Sequence, residues 1–125
     1  MLASKNKENT MKIFSTAPEG NELAEAVGVD YIKFSISMMD GFVDWMKTTK
    51  DPSQPILAII DMLVILAKKY PVDANLLIKK EKVQEWENVF NDWFERCSSR
   101  IPAKFRNGIK ANGDELFKEL EQYGH

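Results

Sequence analysis

The stretch Asp30-Tyr31-Ile32-Lys33-Phe34-Ser35-Ile36-Ser37-Met38-Met39-Asp40-Gly41-Phe42-Val43-Asp44-Trp45-Met46 decides the fold, because it obeys two sets of rules. Ile32 to Met38 alternates apolar and polar at every step, the pattern of a half-buried strand. It runs into Asp40-Gly41, a dipeptide favoured in tight hairpins. Read instead as a helix from an Asp30 cap, it places Ile32, Ile36, Met39, Val43 and Met46 on one stripe at three-four spacing, which Phe34, Met38 and Trp45 widen. A lone hairpin is marginal in water and the rest of the chain reads as helix, so the helix is preferred. The alternative is an α+β fold with a small hairpin within residues 11–47.

On the N-terminal side, Ala17 to Val27 reads as a short helix with Pro18 in its first turn and Gly28 as its stop. Residues 1–12 offer little to bury and read as a flexible arm, leaving 13–125 as a single helical domain.

On the C-terminal side the helix signals are stronger. Asp51 and Pro52 suit a helix start, and Ile56 to Lys69 runs without a breaker to Pro71. Its apolar residues cover nearly the whole circumference, which predicts a central helix. Gln54, Asp61 and Lys68 form its one polar strip. Asp73 is a candidate cap for the next helix, with a break near Lys79-Lys80. Val83, Trp86, Phe90, Trp93 and Cys97 then form an aromatic seam on an amphipathic helix. A short helix through Ile101, Phe105 and Ile109 is expected to stop at Asn112-Gly113, and Asp114 to cap a last one. The expected architecture is all-α, a small up-down bundle of four or five helices.

Composition fits that reading. The 125 residues are 44% hydrophobic and 29% charged, with a formal net charge of −2, ordinary for one globular domain. A single cysteine, Cys97, allows no internal disulfide. Neither a membrane-spanning run nor a signal-peptide stretch is read, so an intracellular, cytoplasmic setting is expected.

Parts for catalysis are scarce. The sole histidine is His125, expected to fray at the terminus, and no HExxH, GxSxG, GxxxxGK[ST] or GxGxxG occurs. No enzyme activity, cofactor or metal is expected. Asp61 reads as a carboxylate facing solvent on its strip beside Lys68, and Cys97 as a buried thiol.

Two features suggest binding. Arg96, Arg100, Lys104, Arg106 and Lys110 form a basic segment without acidic residues, preceded by the acidic run Glu81–Glu95. Met38, Met39, Trp45, Met46, Trp86, Trp93 and Phe94 supply more Met and Trp than a seam of this size needs, and such residues suit surfaces that receive helices. The leading expectation is a non-enzymatic interaction module, an adaptor or regulatory subunit with a protein partner. Its candidate contact residues are Trp45, Met46, Trp93, Arg96, Arg100, Lys104, Arg106 and Lys110. One alternative is a small nucleic-acid- or transcription-associated factor using Arg96–Lys110. Another is a self-associating subunit, a homo-oligomer.

Pro71-Val72-Asp73 with Leu76-Leu77, after an apolar helix and before Val83, resembles the helix junction of the transcription-elongation N-terminal domain family. That resemblance implies a helical bundle that binds short peptide motifs in transcription factors. It covers Ile56 to Phe90 and departs in the spacing to Val83 and in lacking a basic helix ending.

Overall fold

The computed structural model describes residues 13–125; the arm expected at 1–12 lies outside the described residues. Among the described residues there are five α-helices: α1 (Glu22–Met46), α2 (Pro55–Lys69), α3 (Pro71–Leu77), α4 (Lys80–Cys97) and α5 (Ala103–Glu121), with a 3-10 turn at Ser98–Arg100 before α5. The fold is an all-α bundle, and the disputed stretch is helix.

Helix α1 begins earlier than its sequence suggests and runs through both Gly28 and Gly41. Asn21, not Asp30, caps it, accepting from the Ala24 N–H at 2.9 Å. Glu22 and Glu25 complement the positive end of the helix dipole. Residues 17–20, expected to open the first helix, instead belong to a turn in which Phe14 N–H donates to Gly20 O at 2.6 Å. Gly28 does not stop the helix. It lies buried against Tyr70, where an added Cβ would stand 2.5 Å from the ring.

Helix α2 starts on Pro55 and ends at Tyr70, with Lys68 and Lys69 in its last turn. Tyr70 also begins α3, so the cap expected at Asp73 sits one turn too late. The break between α3 and α4 falls at Ile78 and Lys79, as expected. The chain terminus does not fray: Ile78 O accepts from His125 N–H at 3.0 Å, and His125 O accepts from Lys80 N–H at 2.9 Å. In α5, Asn112-Gly113 is no stop. One continuous helix passes through it because Gly113 faces Phe90, whose ring leaves no room for a side chain.

The long helices alternate in direction along the chain. Gly28 against Tyr70 sets α1 antiparallel to α2, and Phe90 against Gly113 and Phe117 sets α4 antiparallel to α5. Helix α1 packs on α2 and α4, and α5 packs on the same two. The chain therefore crosses the bundle diagonally between α2 and α4, and α3 makes that crossing. The core is one cluster centred on Trp86, Trp93, Phe90 and Phe117, with Ile32, Met39, Met46, Ile60 and Leu63 facing them. Phe90 stacks on Trp93 at 5.7 Å between centroids and meets Phe117 at the same distance. The expected seam Val83–Cys97 is buried throughout. Helix α2 is less central than its composition predicts, since Met62 and Ile65 are exposed: three neighbours leave its outer side uncovered.

Candidate binding surface

Helix α1 carries two apolar stripes. Gly28, Ile32, Ser35, Met39, Val43 and Met46 are buried in the bundle. Leu23, Val27, Tyr31, Phe34, Phe42 and Trp45 are exposed, from 39% for Trp45 to 62% for Phe34, and Met38 among them is half-buried. At about 100° per residue these seven fall within roughly a third of the circumference, beside the buried face. The second stripe runs about 33 Å along the helix. Asp40, on the opposite flank, faces α4: its Oδ1 accepts from Trp86 Nε1 at 3.0 Å and its Oδ2 from Lys82 Nζ at 3.1 Å. The exposed stripe therefore borders α2, on the side where Met62 and Ile65 are also uncovered.

Gly41 interrupts the stripe. No atom lies within 4 Å of where its Cβ would be, and Met38, Gly41, Phe42 and Trp45 line a shallow hollow of about 390 Å³ there. Phe42 and Trp45 meet edge to face at 6.2 Å, which holds the hollow's far wall. Exposed apolar patches on monomers are commonly about 300–600 Å², and larger ones mark interaction sites. The exposed parts of this stripe amount to roughly 700 Å².

Of the candidate contact residues, Trp45 lies on this surface. Met46 and Trp93 do not: both are fully buried. Trp93 belongs to the aromatic seam, and its Nε1–H donates to Asp51 O at 2.9 Å. Met46, one residue beyond Trp45, falls on the inward stripe by the helical turn alone.

The arginines of the basic segment are used within the fold. Arg96 donates to Met46 O at 2.6 Å and Thr49 O at 2.7 Å, closing the end of α1, which has no basic residue in its own last turn. Arg100 donates to Lys50 O at 2.8 Å. Arg106 donates to Ser98 O at 2.7 Å and Ile101 O at 2.9 Å, binding the 3-10 turn. Lys110 pairs with Asp114 at 2.7 Å within α5, and Lys104 lies 5.1 Å from the Phe105 ring. Five cations thus share a region without sharing a ligand geometry. Lys47, Lys50, Arg96 and Arg100 do border an open hollow of about 540 Å³ at that end of the bundle.

Cys97 is buried as expected, its sulfur 3.6 Å from Thr49 O. Asp61 is exposed on its strip. The strip's Lys68 is raised above the usual lysine range by its hydrogen bond to Glu119 at 3.0 Å, and Asp61 adds only slightly. One carboxyl pair stands apart from the stripe. Glu25 of α1 is held above the ordinary range by the negative charge of Asp73, then by desolvation and by the hydrogen bond it shares with Asp73 when protonated. Asp73 Oδ2 is buried without another partner.

Sequence reasoning flagged Phe34, Met38 and Trp45 as widening an apolar stripe. What it missed was that the widening exceeds what two neighbouring helices can cover. The signal was present in Leu23, Val27 and Tyr31, which carry the stripe past Gly28.

Compared with models of known protein families, with curated proteins and with solved structures, the chain matches none. No family match accompanies the resemblance read at Pro71–Leu77. Among the described residues no helix is long and apolar enough to cross a membrane.

Proposed function

We propose that this chain is a non-catalytic helical interaction module, and that it binds a protein partner along the outer stripe of α1. The observation that carries the reading is the apolar line from Leu23 to Trp45, notched only at Gly41, on a helix whose other stripe already fills the core. A bundle has no use for the second stripe, and exposing it costs solubility unless something covers it. Its side chains are of the kind that anchor helical partners: aromatics flanking a methionine, around a hollow that can receive a side chain.

Site-specific photocrosslinking tests the reading. Benzophenone-alanine at Phe34 should give a discrete protein adduct in the native cell, while the same group at exposed Glu85 on α4 should not. Equal labelling from both positions, or none from Phe34, would overturn it.

A further inference from the structure

We infer that the occupant of the stripe is a second copy of this chain, its α1 laid antiparallel on the first so that residue 31 of one copy faces residue 41 of the other. This rests on the binding-surface reading above and names the partner.

Two observations carry it, and a third does not oppose it. The first is register. Val27, Tyr31, Phe34, Met38, Gly41 and Trp45 are spaced 4, 3, 4, 3 and 4, the alternation with which two helices keep one seam together. Antiparallel pairing sets alternate members of such a seam against each other. With maximal overlap Tyr31 faces Gly41, Trp45 faces Val27 and Phe34 faces Met38. Large meets small in the outer layers, where Trp45 lies over Val27 and the Tyr31 ring enters the hollow that Gly41 leaves open. The thioether of Met38 meets an aromatic ring, a favourable contact.

The second is area. The roughly 700 Å² of exposed apolar surface per copy approaches the ~800 Å² per partner of a standard stable interface. Met62 adds to it: counting antiparallel from Gly28 at Tyr70 puts it level with residue 36 of α1, where this register places the two-fold axis.

The third is charge. The edge of the stripe away from α2 carries Asp30 and Asp44, which come near each other across the pair. Each has a lysine three residues on, Lys33 and Lys47, and Lys47 Nζ lies 3.7 Å from Asp44. The two edges meet without net charge. Residues 1–12 are a poor alternative cover, since Met1, Leu2 and Met11 are their only large apolar side chains.

Sedimentation velocity from micromolar to millimolar protein should show a monomer–dimer equilibrium. Phe34→Glu should abolish it with thermal unfolding of the single chain unchanged, because Phe34 is 62% exposed. Gly41→Leu, which meets no atom within 4 Å in its own chain, should weaken the dimer roughly tenfold by excluding Tyr31. Oxidising a mixture of Val27→Cys and Trp45→Cys should trap a mixed disulfide dimer, with neither variant dimerising alone; a Val27→Cys homodimer would overturn the antiparallel register. A protein that stays monomeric at millimolar concentration, or a dimer indifferent to Phe34→Glu, would overturn the inference. If such a monomer still gives Phe34 adducts with a protein of different mass, the binding surface stands and its occupant is another chain. If it gives none, both fail.

Discussion

The Phe90 ring fills the space that a side chain would need at Gly113: a Cβ built there would stand 2.5 Å from Cζ. A glycine within a helix ordinarily costs about 0.5–1 kcal/mol relative to alanine, yet here it lets α4 and α5 approach. Gly113→Ala should therefore destabilise the fold by about 1–3 kcal/mol. Gly108, on the same helix, has nothing within 4 Å, and Gly108→Ala should stabilise by about 0.5–1 kcal/mol. Urea unfolding of the two variants checks the opposite signs.

Arg96 closes the C-terminal end of α1 from another helix. Its two hydrogen bonds satisfy Met46 O, a carbonyl that α1 cannot satisfy itself, and Thr49 O in the turn that follows. Arg96→Ala should cost about 1–2 kcal/mol, with faster amide exchange confined at first to the last turn of α1. Arg96→Lys keeps the charge but not the planar fork that spans both oxygens, and should recover only part of the loss. Equal stability of the three proteins in thermal unfolding would show that the contact is dispensable.

How far the sequence could be read follows from where each determinant lies. The seam Val83–Cys97 and the apolar run of α2 were legible because their periodicity is local and unbroken. Gly28 and Gly113 read as stops because the residues that turn them into contact points, Tyr70 and Phe90, are distant in sequence. The basic segment looked like an anion-binding surface because its carbonyl partners lie 47 to 50 residues away in the cases of Arg96 and Arg100. On α1 the apolar pattern was visible, but which half of it the bundle would cover was set by Asp40, whose bonds to Trp86 and Lys82 turn that flank toward α4. A local propensity cannot report a tertiary choice of this kind.

The pairing of Glu25 with Asp73 makes stability depend on pH. Glu25 has its folded pKa raised above the 4.5 of a free side chain, first by the Asp73 charge. An acid raised in the folded state binds more protons there than in the unfolded chain, so stability falls as pH climbs from 4.5 through the raised value. Glu87 adds to the same slope: burial raises it, with Glu121 and Asp114 contributing. Glu25→Gln should therefore be more stable than the parent at neutral pH, with the gain vanishing in acid below 4.5. A pH series of urea midpoints tests it, and a gain that persists undiminished in acid would rule out the electrostatic cause.

Two tryptophans of the same chain should respond very unequally to truncation. Trp93 is fully buried, stacks on Phe90 at 5.7 Å and donates its indole N–H to Asp51 O. Trp93→Ala removes a large core side chain and strands that carbonyl, and should cost about 3–5 kcal/mol. Trp45 keeps 39% of its surface exposed and packs on Phe42 alone among the rings. Trp45→Ala should cost the fold of a single chain no more than about 1 kcal/mol. Fluorescence separates them before any unfolding: Trp45→Phe should remove the component quenched by acrylamide and shift the remaining emission to the blue, because Trp86 and Trp93 are shielded from water. If the quenchable emission survives in Trp45→Phe, then Trp45 is not the tryptophan that faces solvent, and the outer stripe of α1 ends short of it.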